Sequence, residues 1–140
     1  PAFAFGHGLS YTSFEYGNLR VAKDGAGLRA SFTVRNTGKV AGKAVPQIYV
    51  AGEGWEAPKR LGGFAAVMLA PSATTTVTVT IDPRLLANFD ETNRSWRIAK
   101  GVYRVMLGGA SDALGQPVTV KLDARSLPAA WHPLESAAAR

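Results

Sequence analysis

Apolar and polar residues alternate with a period of two through most of this chain, the pattern of strands buried on one face. Between Leu28 and Arg35, the residues Leu28, Ala30, Phe32 and Val34 fall on one side. Between Thr76 and Ile81 the inward set is Val77, Val79 and Ile81, with threonines facing water, and Val118, Val120 and Leu122 repeat the pattern near the end. Two further runs, Val45 to Val50 and Val102 to Leu107, are apolar on both faces and predict central strands. Turn residues punctuate the runs: Asp24-Gly25, Asn36-Thr37-Gly38, Pro71-Ser72, Asp82-Pro83 and Gly108-Gly109. Pro83 to Asn88 is the one stretch suited to a helical turn, with Asp82 as its cap and Pro83 in first position. Seven to eight short strands so divided predict an all-β, immunoglobulin-like two-sheet sandwich. Tyr103, in Gly101-Val102-Tyr103-Arg104-Val105, fits either a tyrosine corner or a plain core aromatic.

The leader departs from this pattern. Residues 1–13 carry no Asp, Glu, Lys or Arg before Phe14, yet hold Phe3, Phe5, Leu9 and Tyr11, and Gly6 and Gly8 break any regular repeat. So apolar a segment needs a surface to lie on. Its own sandwich is one choice; a neighbouring domain is the one expected here. The division is therefore a linker at 1–13, a sandwich at 14–123 and a tail at 124–140. The chain starts at Pro1 without an initiator Met, which is expected of a piece of a longer protein.

Composition adds exclusions. With 140 residues, 46% hydrophobic and 19% charged, one domain with a substantial core is expected rather than a disordered segment. The absence of Cys excludes disulfides, thiolate zinc sites and thiol nucleophiles. No apolar run approaches the roughly 20 residues of a membrane helix, so no membrane partner is expected. The net charge of +6 is spread over single basic residues, with Lys59-Arg60 paired, and lacks the clustered aromatics of a nucleic-acid surface.

Candidate chemistry is sparse. His7 and His132 lie near opposite ends with no partner at metal-ligand spacing, so no metal and no cofactor are expected. Glycoside cleavage by the usual route needs two carboxylates facing each other across a sugar bond. Glu53 with Glu56 and Asp90 with Glu91 are the nearest pairs, and both read as solvated loop acids. Trp55, in a Gly-rich loop, is the residue best placed to stack on a sugar or on another domain. Trp96, at a strand start, reads as core.

Phe5-Gly6-His7-Gly8-Leu9-Ser10-Tyr11-Thr12 with Phe14 resembles the linker into the fibronectin type III-like domain of glycoside hydrolase family 3 enzymes, chiefly β-glucosidases and β-xylosidases. Similar stretches follow in order: Val34 to Lys39 with Ala41-Gly42-Lys43, Gln47-Ile48-Tyr49-Val50, Pro58-Lys59-Arg60-Leu61 with Gly63-Phe64, then Val67, Leu69 and Pro71, and Trp96 with Gly101 to Val105. The likeness spans roughly residues 3 to 122. Two loops depart from it, Pro71-Ser72-Ala73 in place of Pro-Gly-Glu and Ala87-Asn88-Phe89-Asp90 in place of Ser-Phe-Tyr-Asp.

The resemblance implies a fibronectin type III-like fold and a non-catalytic role. The parent would hydrolyse terminal β-linked sugars, with its Asp nucleophile and Glu acid/base on upstream catalytic domains. Those domains would be the partners of this chain, contacted through Phe3, Phe5, His7, Leu9, Tyr11, Lys59 and Arg60. A periplasmic or extracellular location is implied as well. Trp55 could also meet a β-linked oligosaccharide. The rival readings are a free-standing carbohydrate-binding module and a cell-surface spacer or adhesion domain.

Overall fold

The computed structural model describes residues 12–53, 55, 59–109 and 114–130. In chain order its strands are β1 (Phe14–Asp24), β2 (Gly27–Asn36), β3 (Gly42–Ala44), β4 (Gln47–Gly52), β5 (Arg60–Phe64), β6 (Val67–Leu69) and β7 (Thr74–Ile81). After a 3-10 turn at Pro83–Leu86 come β8 (Asn88–Asp90), β9 (Ser95–Ile98), β10 (Gly101–Gly108), β11 (Val118–Leu122) and β12 (Arg125–Pro128).

Seven of these strands make the two main sheets. One sheet has the order β1-β2-β7 and the other β11-β10-β4-β5, with every pairing antiparallel. The core lies between them. Leu28, Ala30, Phe32 and Val34 of β2 are at most 1% exposed, and they share one cluster with Ile48, Val50 and Val105 from the opposite sheet. Burying each large side chain contributes about 1.5–3 kcal/mol, more than the ~1 kcal/mol span of strand propensities. Core burial therefore sets the register, because a one-residue slip of β2 would bring Arg29 and Arg35 inside.

The predicted strands at 28–35, 76–81, 102–107 and 118–122 all appear within β2, β7, β10 and β11. The run Val45 to Val50 begins two residues later, as β4, because Pro46 has no N–H to give a ladder and Val45 turns outward. β1 escaped the pattern reading. Its pairing with β2 shifts register between Gly17 and Arg20, where Asn18 takes a φ of 55°, and the shift scrambles the alternation.

Two smaller sheets flank the sandwich, β3-β6 and β12-β9-β8. The second recruits Arg125–Pro128, beyond the expected end of the sandwich at 123, and seats Leu127 opposite Trp96 at 4% exposure. Trp96 is half-buried and meets Phe89 edge to face at 5.0 Å. Asp82 caps the 3-10 turn, its carboxylate accepting from Arg84 N–H at 2.9 Å. Tyr103 is 3% exposed and its hydroxyl donates to Ala99 O at 2.6 Å. That tie to backbone four residues upstream is a tyrosine corner.

Candidate functional site

Among the described residues, two polar arrangements tie together parts of the sandwich distant in sequence. The first is where the leader joins. Asn36 ends β2 with its side chain 0% exposed, the lone buried polar residue among those described. Its Nδ2 donates to Val40 O at 2.8 Å and Leu69 O at 3.1 Å, while Oδ1 accepts from Gly38 N–H at 2.9 Å and Thr12 Oγ1 at 2.8 Å. Two donors and two lone pairs are thereby all used, which is what makes the burial affordable. Alongside, Thr37 N–H donates to Ser13 O at 2.9 Å.

Thr12 fits this clasp because two neighbours have no side chain. A Cβ on Gly38 would collide with Thr12 Oγ1, and one on Gly42 with Thr12 Cγ2. The sequence signal was Asn36-Thr37-Gly38, quoted above as a turn. The bond from Gly38 N–H back to Asn36 Oδ1 does form that Asx-turn. Sequence reading missed that the same amide reaches Leu69, 33 positions away.

The second place is around Arg60, at the start of β5. Its Nη1 donates to Ala87 O at 2.7 Å and Leu85 O at 3.2 Å, and its Nη2 to Asn88 Oδ1 at 2.5 Å. The guanidinium lies 3.7 Å from the centroid of the Trp55 ring. Trp55 in turn meets Tyr103 edge to face at 6.0 Å, over Gly52, where a Cβ would stand 2.7 Å from the indole. Partial burial pulls the Arg60 pKa below its ordinary value, with the Tyr103 phenol opposing, yet a guanidinium stays charged. Arg60 is thus a strut that ties β5 to the end of the 3-10 turn and pins Trp55 by a cation–π contact. Lys59 Nζ stands 6.0 Å from the Tyr49 ring centroid, at the edge of that kind of contact.

Trp55 is therefore half-buried against the core, with Arg60 over one ring face. The other residues expected at an interface (Phe3, Phe5, His7, Leu9 and Tyr11) lie outside the described residues, as do Glu56, Trp131 and His132. Beside the strut, Arg60, Asp82, Arg84, Leu85, Ala87 and Trp96 line an open cleft of about 540 Å³.

Of the candidate carboxylates, Asp90 is held within its own turn. Asp90 receives Thr92 N–H at 3.0 Å, Asn93 N–H at 3.2 Å and Asn93 Nδ2 at 2.8 Å. The Asn93 side-chain bond leads the effects that hold its carboxyl below the usual range, so it is an ionised turn cap. Glu53 is exposed. Among the described residues no three His, Asp or Glu side chains gather as metal ligands.

Two antiparallel sheets in this order, closed over one core and carrying a tyrosine corner, define a fibronectin type III-like sandwich, and residues 44–111 match the family described as "Fibronectin type III-like domain". Thermostable beta-glucosidase B of Acetivibrio thermocellus is 38% identical over 118 residues, covering 79% of this chain and 16% of that protein. Probable beta-glucosidase K of Emericella nidulans is 42% identical over 114 residues, covering 78% and 13%. In structure, beta-glucosidase 3B of Thermotoga neapolitana superposes with a TM-score of 0.76 at 34% identity, over 86% of this chain and 17% of that one. The chain is thus the fibronectin type III-like portion of the glycoside hydrolase family 3 β-glucosidases, and it spans about a sixth of the length of the relatives it matches.

Proposed function

We propose that this chain is a non-catalytic scaffold domain of a longer family 3 β-glycosidase, packing against the catalytic domains and stabilising them. The parent hydrolyses terminal β-linked sugars, β-glucosides in the first instance, as the names of its relatives suggest. The observation that carries the reading is the coverage: 78–86% of the chain aligns, but with only 13–17% of each relative. The leader clasp supports it, because four side-chain bonds converge on Asn36, one of them from Thr12, where the leader meets the sandwich. A hinge between domains that hold each other in register needs such a fixed point.

The test compares this 140-residue chain with the longer enzyme on aryl β-glucosides. The chain gives no turnover, the longer enzyme is active, and deleting residues 1–140 from it lowers its melting temperature and its activity. Turnover by the chain alone would reject the reading. Tryptophan fluorescence of the chain should stay unchanged on adding gluco-oligosaccharides, since Arg60 covers one face of Trp55.

A further inference from the structure

We propose that the outer face of the ribbon formed by β3–β4 and β5–β6 is the surface on which the preceding domain of the longer enzyme docks, with Phe64 and Met68 at its centre. This rests on the scaffold reading above. The two halves of the ribbon keep one register: Gly42 faces Leu69, Lys43 faces Met68, Ala44 faces Val67, Gln47 faces Phe64 and Ile48 faces Gly63. Ala65 N–H donates to Pro46 O across the gap at 3.2 Å. Period-two alternation in that register puts Lys43, Val45 and Gln47 on one face with Phe64, Ala66 and Met68.

That face is bare. Phe64 is 64% exposed, Met68 69% and Val45 39%, while Ala44 and Leu69 on the reverse are buried in the core. The β5–β6 half of the ribbon therefore turns apolar side chains to solvent, although β5 is an edge strand of its sheet. Exposed apolar edges invite aggregation, and natural edges are charged, bulged or covered. Here the missing element is a cover.

Three observations select the preceding domain as that cover. Gly42, at the ribbon's end, lies against Thr12, so the leader joins the sandwich beside the patch. Eleven residues reach at most about 36–40 Å, which keeps anything tethered by the leader within range. Lys43, directly across from Met68 on the same face, is exposed, so the partner surface is apolar with a carboxylate placed to meet it.

Methionine oxidation reads this surface directly. With dilute hydrogen peroxide and mass spectrometry, Met68 should oxidise at least ~10-fold more slowly in the longer enzyme than in the 140-residue chain. Phe64→Ser with Met68→Ser should leave the melting temperature of the chain unchanged and lower that of the longer enzyme. Equal oxidation in the two proteins overturns the proposal. If deleting residues 1–140 also leaves the longer enzyme unaltered, the scaffold reading falls with it; if that deletion is harmful, only this surface falls. Met68 already protected in the chain, and released by removing residues 1–11, makes the leader the cover instead. A dimer of the chain that the double variant disperses makes it a second copy. Either result rejects the preceding domain.

Discussion

Replacing Asn36 by alanine removes four hydrogen bonds and leaves Val40 O, Leu69 O and Gly38 N–H facing a small void. A buried hydrogen bond contributes about 1 kcal/mol net, and an abandoned buried partner costs about 1–3 kcal/mol. Thr12 is half-buried and can recover water, so its bond counts for least. The expected loss is about 3–4 kcal/mol, a large part of the ~5–15 kcal/mol that holds a domain together. At ~3 °C per kcal/mol for a domain of this size, the melting temperature falls by about 10 °C. Urea unfolding followed by tryptophan fluorescence measures the loss, with the m-value unchanged. Thr12→Val should cost about 1 kcal/mol alone and almost nothing on top of Asn36→Ala, because the bond is already gone.

Asn36→Asp sharpens the test. An ionised carboxylate would face the carbonyls of Val40 and Leu69, so its folded-state pKa is raised above the unfolded value of about 3.9. A raised folded pKa means stability is present at low pH and is lost as pH rises through that value. The gap between Asn36→Asp and the unaltered chain therefore narrows on acidification and widens towards neutrality. A loss under about 1 kcal/mol for Asn36→Ala, or a gap indifferent to pH for Asn36→Asp, refutes the argument that this amide is the fully used centre of the clasp.

Three smaller changes follow from single geometries. Ser72 holds a φ of 65° in the turn that Ala73 N–H closes onto Ala70 O at 3.1 Å, so Ser72→Gly should stabilise by about 0.5–1 kcal/mol in chemical denaturation. Tyr103→Phe removes the corner bond to Ala99 O and should cost about 1 kcal/mol by the same measurement, without altering the near-ultraviolet signature of the core. Burial pushes the Asp82 carboxyl up, but hydrogen bonds and charge from Arg84 outweigh it and hold the pKa below the ordinary value. Its contribution is thus present above about pH 3.9 and is lost as pH falls through the folded value, so the ~1 kcal/mol deficit of Asp82→Ala should vanish in acid.

Local features were legible wherever neighbours in sequence act on each other. The alternation in β2 and β7, the Asp82-Pro83 cap and the turn at Pro71-Ser72 depend on a few consecutive residues. Tyr103 stood between two readings until its hydroxyl was seen on Ala99. What escaped was non-local. Nothing in a Gly-rich loop announces that Trp55 will fold back over Gly52, or that Arg60 will spend its donors on carbonyls 25 and 27 residues away. Those partners are set by which sheets face each other, and that is decided by the whole core.

The ribbon shows the same limit from the other side. A strand apolar on both faces reads as central because sequence records how much surface must be covered, without saying by what. Val45 and Phe64 are exposed, so among the described residues the apolar pattern exceeds what the fold buries. That surplus separates a domain shaped to stand alone from one shaped to be a wall of something larger. The clasp at Asn36 holds Thr12 against Gly42, at the end of the ribbon that carries this surplus, and both features fit the scaffold role proposed above.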